Sequence, residues 1–235
     1  MGEGVERTVC GLDGCRSGWV VVTLVLQEGM AAPVVQVVPD LVEVIRGIES
    51  GWVAAAAIDI PIGLPPRDPR QADLEARRRL GPRTSSVFPA PVRSVLAAET
   101  YAEACAISRK VCGKAVSRQL FNILPKIREV DALQSPRLQN QLFEMHPEVS
   151  FAELGGAPMR FHKSTPEGRH ERLQALHTVF PWAGELSRDR MPGAQPDDVL
   201  DAMVGAWTAR RFALGAHLQL GGDYDERGLR MEVVV

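Results

Sequence analysis

The chain has 235 residues, 45% of them hydrophobic, and a formal net charge of −2. That composition excludes a disordered protein, and charged residues, Gly or Pro interrupt every apolar run before it reaches the length of a membrane span. The near-neutral total hides an asymmetry: residues 67–128 are rich in Arg and Lys, while acids dominate elsewhere, a pattern suited to an anionic partner such as nucleic acid.

The N-terminal residues, Met1 to Arg7, are polar and acidic and lack a signal-peptide hydrophobic region. The four cysteines (Cys10, Cys15, Cys105, Cys112) show neither CxxC nor zinc-site spacing. Both features point to a reduced, cytoplasmic protein.

Residues 9–13 read as a short buried strand closed by Asp13, with Gly14 permitting a turn. Residues 19–26 are β-branched and apolar, 27–33 read as a loop, and 34–38 as a returning strand. Asp40 and Glu43 mark the start of a helix whose apolar face is Leu41, Val44, Ile45 and Ile48. Val53 to Ile58 form a wholly apolar strand, the pattern of a strand covered on both faces, and Asp59 closes it.

Residues 67–140 read as a helical insertion. Asp68-Pro69 opens a helix that stops at Gly81-Pro82, and Thr84 to Arg93 form a polar, Pro-rich loop. Thr100 and Glu103 make a capping box for a second helix ending near Gly113. Ser117 to Leu133 is a third, with a bend expected at Pro125.

Leu142 to His146 reads as a central strand stopped by Pro147. Thr165-Pro166 begins another helix, and a long final helix runs from Asp197 to about Leu214. A turn at Asp225–Gly228 precedes a last strand, residues 229–235, whose apolar end, Met231 to Val235, is a candidate interface strand between copies of the chain.

Acids stand out in this layout. Asp13 and Asp59 lie at the C-terminal ends of strands, the usual ligand side of open α/β sheets. Asp198 and Asp201 are three apart at one edge of the last helix's apolar stripe. A carboxylate at the end of a buried strand is costly unless it is paired or binds a cation. Acids converging from separate elements suit hard divalent ions such as Mg²⁺ or Mn²⁺.

Several motifs in order carry a family resemblance: Gly11-Leu-Asp13-Gly14, Gly18-Trp19, Ile58-Asp59-Ile-Pro61-Ile-Gly63, Arg83-Thr-Ser-Ser-Val-Phe88, Glu144-Met-His-Pro-Glu148, and Asp197-Asp198-Val-Leu-Asp201. Together they resemble the domain of unknown function 429 family, described as nucleases of ribonuclease H fold on the evidence of fold. The resemblance implies a single ribonuclease H-like domain over 1–235. Its α/β fold would be a mixed five-stranded sheet with helices on both faces and the 67–140 insertion after the fourth strand. It implies catalytic, metal-holding roles for Asp13, Asp59, Asp198 and Asp201 in two-metal phosphodiester hydrolysis, with ions about 4 Å apart and Asp13 bridging them.

Glu144, His146 and Lys163 are candidates for lining the site, with His146 a proton shuttle. Arg83, Ser85, Ser86 and Arg93 are candidates for phosphate binding, and the basic stretch 67–128 is the candidate nucleic-acid surface. Two other readings share these features: an actin-like or sugar-kinase-like ATP-binding protein, a class in which Gly-x-Asp-Gly also occurs on a first strand, and a non-catalytic ribonuclease H-like binding module.

Overall fold

The computed structural model describes residues 7–27, 33–67, 69–186 and 191–235. In chain order the elements are β1 (Thr8–Cys15), β2 (Gly18–Val25), β3 (Val34–Val38), α1 (Val42–Glu49), β4 (Val53–Ile58), α2 (Gln71–Leu80), α3 (Tyr101–Cys112), α4 (Arg118–Leu133), β5 (Leu142–Glu144), α5 (Pro147–Gly155), α6 (Pro166–His177), α7 (Ala183–Leu186), α8 (Pro196–Ala213), β6 (Gln219–Tyr224) and β7 (Arg230–Val234). The chain divides into two compact units. One comprises 1–59, 141–218 and 234–235, the other 60–140 and 219–233.

The first unit holds a mixed five-stranded sheet in the order β3-β2-β1-β4-β5. β1 pairs antiparallel with β2 and β2 with β3, while β1–β4 and β4–β5 are parallel. This is the α/β mixed sheet expected from the strand pattern. Every residue of β4 is buried, as its unalternating apolar sequence demands.

β1 is longer than its sequence suggests. Gly14 pairs with Trp19 inside the ladder, and the turn falls at Arg16 and Ser17. Gly18, at φ 133°, closes that turn in a conformation open to glycine.

The last helix, α8, packs across β1, β2 and β4. Residues Val199 to Ala206 on it are all buried. The single apolar stripe inferred from sequence is therefore too narrow: α8 is enclosed nearly all round, as helices of a core are. Close approach to the sheet needs two glycines. A Cβ on Gly11 would stand 2.0 Å from both Ala202 O and Ala206 N, and one on Gly205 would stand 3.2 Å from Gly11 Cα. Thr208 on α8 donates to Ser150 of α5 at 2.9 Å.

The strand stops before Pro147 as expected, but Pro147 also starts a helix. It sits at the first turn of α5, with His146 as its N-cap, because proline's missing N–H is no loss there. β5 is correspondingly short, and Met145 continues it only as a single bridge to Val234.

The second unit contains α2, α3 and α4. Asp68, the expected cap, lies outside the described residues, and α2 begins at Gln71 after Arg70. Residues 81–86 form a 3-10 turn where a loop was expected. The Thr100–Glu103 capping box and the left-handed Gly113 end of α3 are present, and α4 runs continuously through Pro125. This unit is not purely helical, because β6 and β7 form a two-stranded sheet within it.

The tail is not an exposed interface strand. Met231, Val233, Val234 and Val235 are all buried within the chain. Among the described residues no helix is long and apolar enough to cross a membrane, and all four cysteines are free thiols.

Candidate functional site

Register places the first two acids side by side. The parallel β1–β4 ladder ends with Leu12 opposite Ile58, and Asp59 N donates to Leu12 O at 3.1 Å. Asp13 and Asp59 therefore follow directly on neighbouring strands, close enough for each carboxyl to act on the other. Asp13 also shares a strand face with Gly11, two residues earlier, the residue that receives α8.

The third acid comes from that helix. Asp201 lies one turn before Gly205 and is fully buried. Its Oδ2 accepts from Lys163 Nζ at 2.6 Å, while its Oδ1 is buried with no hydrogen-bond partner. Lys163 is carried by the segment before α6, and its side chain is 38% exposed.

Electrostatics bind these four residues into one centre. Burial pushes the Asp13 carboxyl well above its ordinary range. The charges of Asp201 and Asp59 push it further, and Lys163 offsets only part. Burial raises Asp59 as well, with His146 and Lys163 pulling it back and Glu148 adding to the rise. Asp201 is pushed up to about 7 by burial, against the pull of Lys163. Burial opposes the charge on Lys163, but Asp201, Asp13 and Asp59 outweigh it and raise its pKa.

Asp198 has a different duty. Its Oδ2 accepts from Gln195 N at 2.7 Å as half of a capping box at the start of α8. Its charge reaches Asp13 but contributes less than those of Asp201, Asp59 and Lys163. The structure thus gathers Asp13, Asp59 and Asp201, and sets Asp198 at the rim as a helix cap.

His146, half-buried at the N-cap of α5, lies near enough to Asp59 to affect its charge. Glu144 does not share that position. Its neighbour Phe143 packs against Phe212 of α8 with the rings tilted by 32°, so alternation turns Glu144 to the opposite face of β5.

Glu148 escaped the sequence reasoning. It stands in the first turn of α5 and affects both Asp59 and Asp201. It is paired with Arg172 of α6, itself almost wholly buried. Arg172 also donates to Phe161 O at 3.3 Å and Gly168 O at 2.8 Å. One guanidinium thus ties Glu148 to the segment that carries Lys163. The signal available in the sequence was Glu148 directly after Pro147, a favourable place for an acid at a helix start.

The candidates for phosphate binding belong to the second unit. Arg83, Ser85 and Ser86 lie together on the 3-10 turn, with Ser85 exposed and the other two half-buried. Arg93 is committed elsewhere: it contacts Asp131 at 3.0 Å and Asp225 at 2.5 Å. Arg70, another member of the basic stretch, is buried against Asp73 at 2.6 Å. Part of that stretch is therefore internal pairing and no surface for a partner.

The donors suit a hard divalent cation: all are carboxylate oxygens, and Asp201 Oδ1 lacks a bond. They do not form an assembled ligand shell. Among the described residues no three His, Cys, Asp or Glu side chains group as a metal site. Instead, the ammonium of Lys163, paired with Asp201, balances part of the acids' charge. That mixture of fit and internal compensation defines the centre.

Residues 11–226, which span every acid of the centre, match the family described as protein of unknown function (DUF429). The chain belongs to the DUF429 family. The match shows membership and carries no activity with it. Comparison with curated proteins and with solved structures gave no match. What this DUF429 chain does must therefore be argued from its own residues.

Proposed function

We propose that the protein is a divalent-metal-dependent phosphodiester hydrolase, a nuclease, acting at the centre formed by Asp13, Asp59 and Asp201. One observation carries this assignment. Three acids from three different elements meet at one place, Asp13 and Asp201 buried and Asp59 half-buried, and Asp201 Oδ1 is left without a hydrogen bond. Buried acids arranged at such cost are a mark of functional sites. For a purely structural role, apolar side chains would fill the same space at lower cost.

Asp13, Asp59 and Asp201 would hold Mg²⁺ or Mn²⁺, which when bound polarises the phosphoryl group and lowers the pKa of water. The chain's own groups do the remainder. His146, beside Asp59, is placed to take a proton from water or pass one to the leaving oxygen. Lys163, partly exposed, presents positive charge at the mouth of the centre. A nucleic-acid substrate accords with exposed arginines of the second unit, such as Arg78 and Arg79 on α2. A cytoplasmic location accords with four free thiols.

Lys163 also favours a second reading. An ammonium 2.6 Å from Asp201 already neutralises part of the cluster, as it would in a ribonuclease H-like binding module with no catalysis. One assay separates the two. Purified protein is incubated with single-stranded, duplex and branched DNA and RNA, with Mn²⁺, Mg²⁺ or EDTA. A nuclease cleaves at least one substrate with metal only, and Asp13→Asn and Asp59→Asn abolish cleavage. Cleavage by both variants at the parent rate would remove the acids from the mechanism.

A further inference from the structure

Two-metal chemistry asks for two cations among the acids. The buried charge here is smaller than that demand. Glu148 is matched by Arg172, and Asp198 is half-buried at a helix cap. That leaves Asp13, Asp59 and Asp201, three negative charges when fully ionised, with the ammonium of Lys163 seated on one of them.

We propose that Lys163 permanently fills one of the two cation places, so that this centre binds a single divalent ion beside Asp13 and Asp59. The inference rests on the metal-dependent reading above and deepens it. Three carboxylates are neutralised by one divalent ion and one ammonium. A second divalent ion with Lys163 still in place would leave two uncompensated positive charges in a buried site, at high desolvation cost.

The geometry agrees with this division. Lys163 reaches Asp201 Oδ2 directly, on the α8 side of the cluster. The sheet side holds Asp13 and Asp59, side by side at the ends of the paired strands β1 and β4. Asp201 Oδ1 is buried without a hydrogen-bond partner. The segment carrying Lys163 is fixed by Arg172 through Phe161 O and by Thr165, whose hydroxyl accepts from Gly168 N at 3.0 Å and donates to His162 O at 2.9 Å. A Cβ on Gly168 would stand 2.0 Å from His162 O, so this segment packs directly on the first turn of α6. Lys163 is held in place by this packing.

The test is calorimetric titration of the full chain with Mn²⁺ alone, at pH 7.5 in two buffers of different ionisation heat. The parent is expected to take up one Mn²⁺ per chain and to release protons on binding. Lys163→Met is expected to take up two, while Lys163→Arg keeps the count at one. Two ions on the parent, or one on Lys163→Met with its fold intact by melting, would overturn the inference and leave the metal-dependent reading standing. No Mn²⁺ uptake by the parent would defeat that reading itself, and the inference with it.

Discussion

Gly11 on β1 and Gly205 on α8 meet backbone to backbone: a Cβ on Gly205 would lie 3.2 Å from Gly11 Cα. This contact aligns the centre. Asp13 is two residues beyond Gly11 on the same strand face, and Asp201 is one helical turn before Gly205. Any residue larger than glycine at position 11 pushes α8 off the sheet and moves Asp201 away from Asp13.

Gly11→Ala therefore tests how the centre is built. The new methyl group would meet Ala202 O and Ala206 N, both backbone atoms, at 2.0 Å. Overpacking of this kind costs about 1–3 kcal/mol and sometimes more. The expected outcome in urea denaturation is a loss at the upper end of that range, together with lost cleavage in whatever protein remains folded. An alanine variant as stable as the parent would show that the two backbones do not touch.

The acids give the stability a definite pH dependence. Burial raises the folded-state pKa of Asp13, Asp59 and Asp201, the last to about 7, against about 3.9 in an unfolded chain. The folded state thus holds protons that the unfolded state has lost. The stability this contributes is fully present below about pH 4 and disappears as pH rises through about 7. Metal-free protein should accordingly lose stability from these groups between pH 4 and 8. Asp13→Asn should flatten that slope and raise Tm at pH 8 by at least about 2 °C, the shift that about 1 kcal/mol gives in a chain of this size. Differential scanning calorimetry across this pH range is the measurement, and a lower Tm at pH 8 for the variant would contradict the account.

Arg172 is expected to be the most sensitive of the buried cations. It is almost wholly buried and pairs with Glu148, while also holding Phe161 O and Gly168 O. Breaking one side of a buried pair costs about 3–5 kcal/mol, because the remaining charge is left alone. Arg172→Met should lose that much in chemical denaturation, and the double variant Arg172→Met with Glu148→Gln should recover part of it. No recovery would mean that the two charges are not coupled.

Arg93 distinguishes pairing from phosphate binding. It bridges Asp131 and Asp225 inside the second unit, so Arg93→Ala should lower stability by roughly 2–4 kcal/mol. Its effect on binding to a nucleic-acid substrate, in conditions where the variant is folded, should be less than twofold, with the salt dependence of binding unchanged. A reduced salt slope with unchanged stability would restore Arg93 as a phosphate ligand.

The part of this site that was legible in sequence is the part set by local pattern. Apolar runs ending in Asp13 and Asp59 announce strands with acids at their C-terminal ends, and Asp201 follows from helical spacing. Long-range partners were hidden. Arg93 looked available because its acids are 38 and 132 residues away in sequence. Lys163 was legible only as a candidate for lining the site, because nothing local pairs it with Asp201. Asp198 looked equivalent to Asp201, although a helix start makes it a cap.

The missed elements have physical reasons too. Pro147 ends a strand and begins a helix at once, and only the second role defines α5. β6, Gln219 to Tyr224, contains two glycines and no β-branched residue, so it carries little intrinsic strand signal. It is held by pairing with β7. Glu144 was placed on the same side as His146 by strand alternation, which stops applying once β5 ends and α5 begins.

The most direct measurement of the central claim is anomalous diffraction from crystals soaked in Mn²⁺. The account expects a peak within ligating distance of Asp13 and Asp59, on the side facing Asp201, absent from crystals of Asp13→Asn. A structure with Mn²⁺ bound elsewhere and no peak between these acids, at a concentration that supports cleavage, would contradict it.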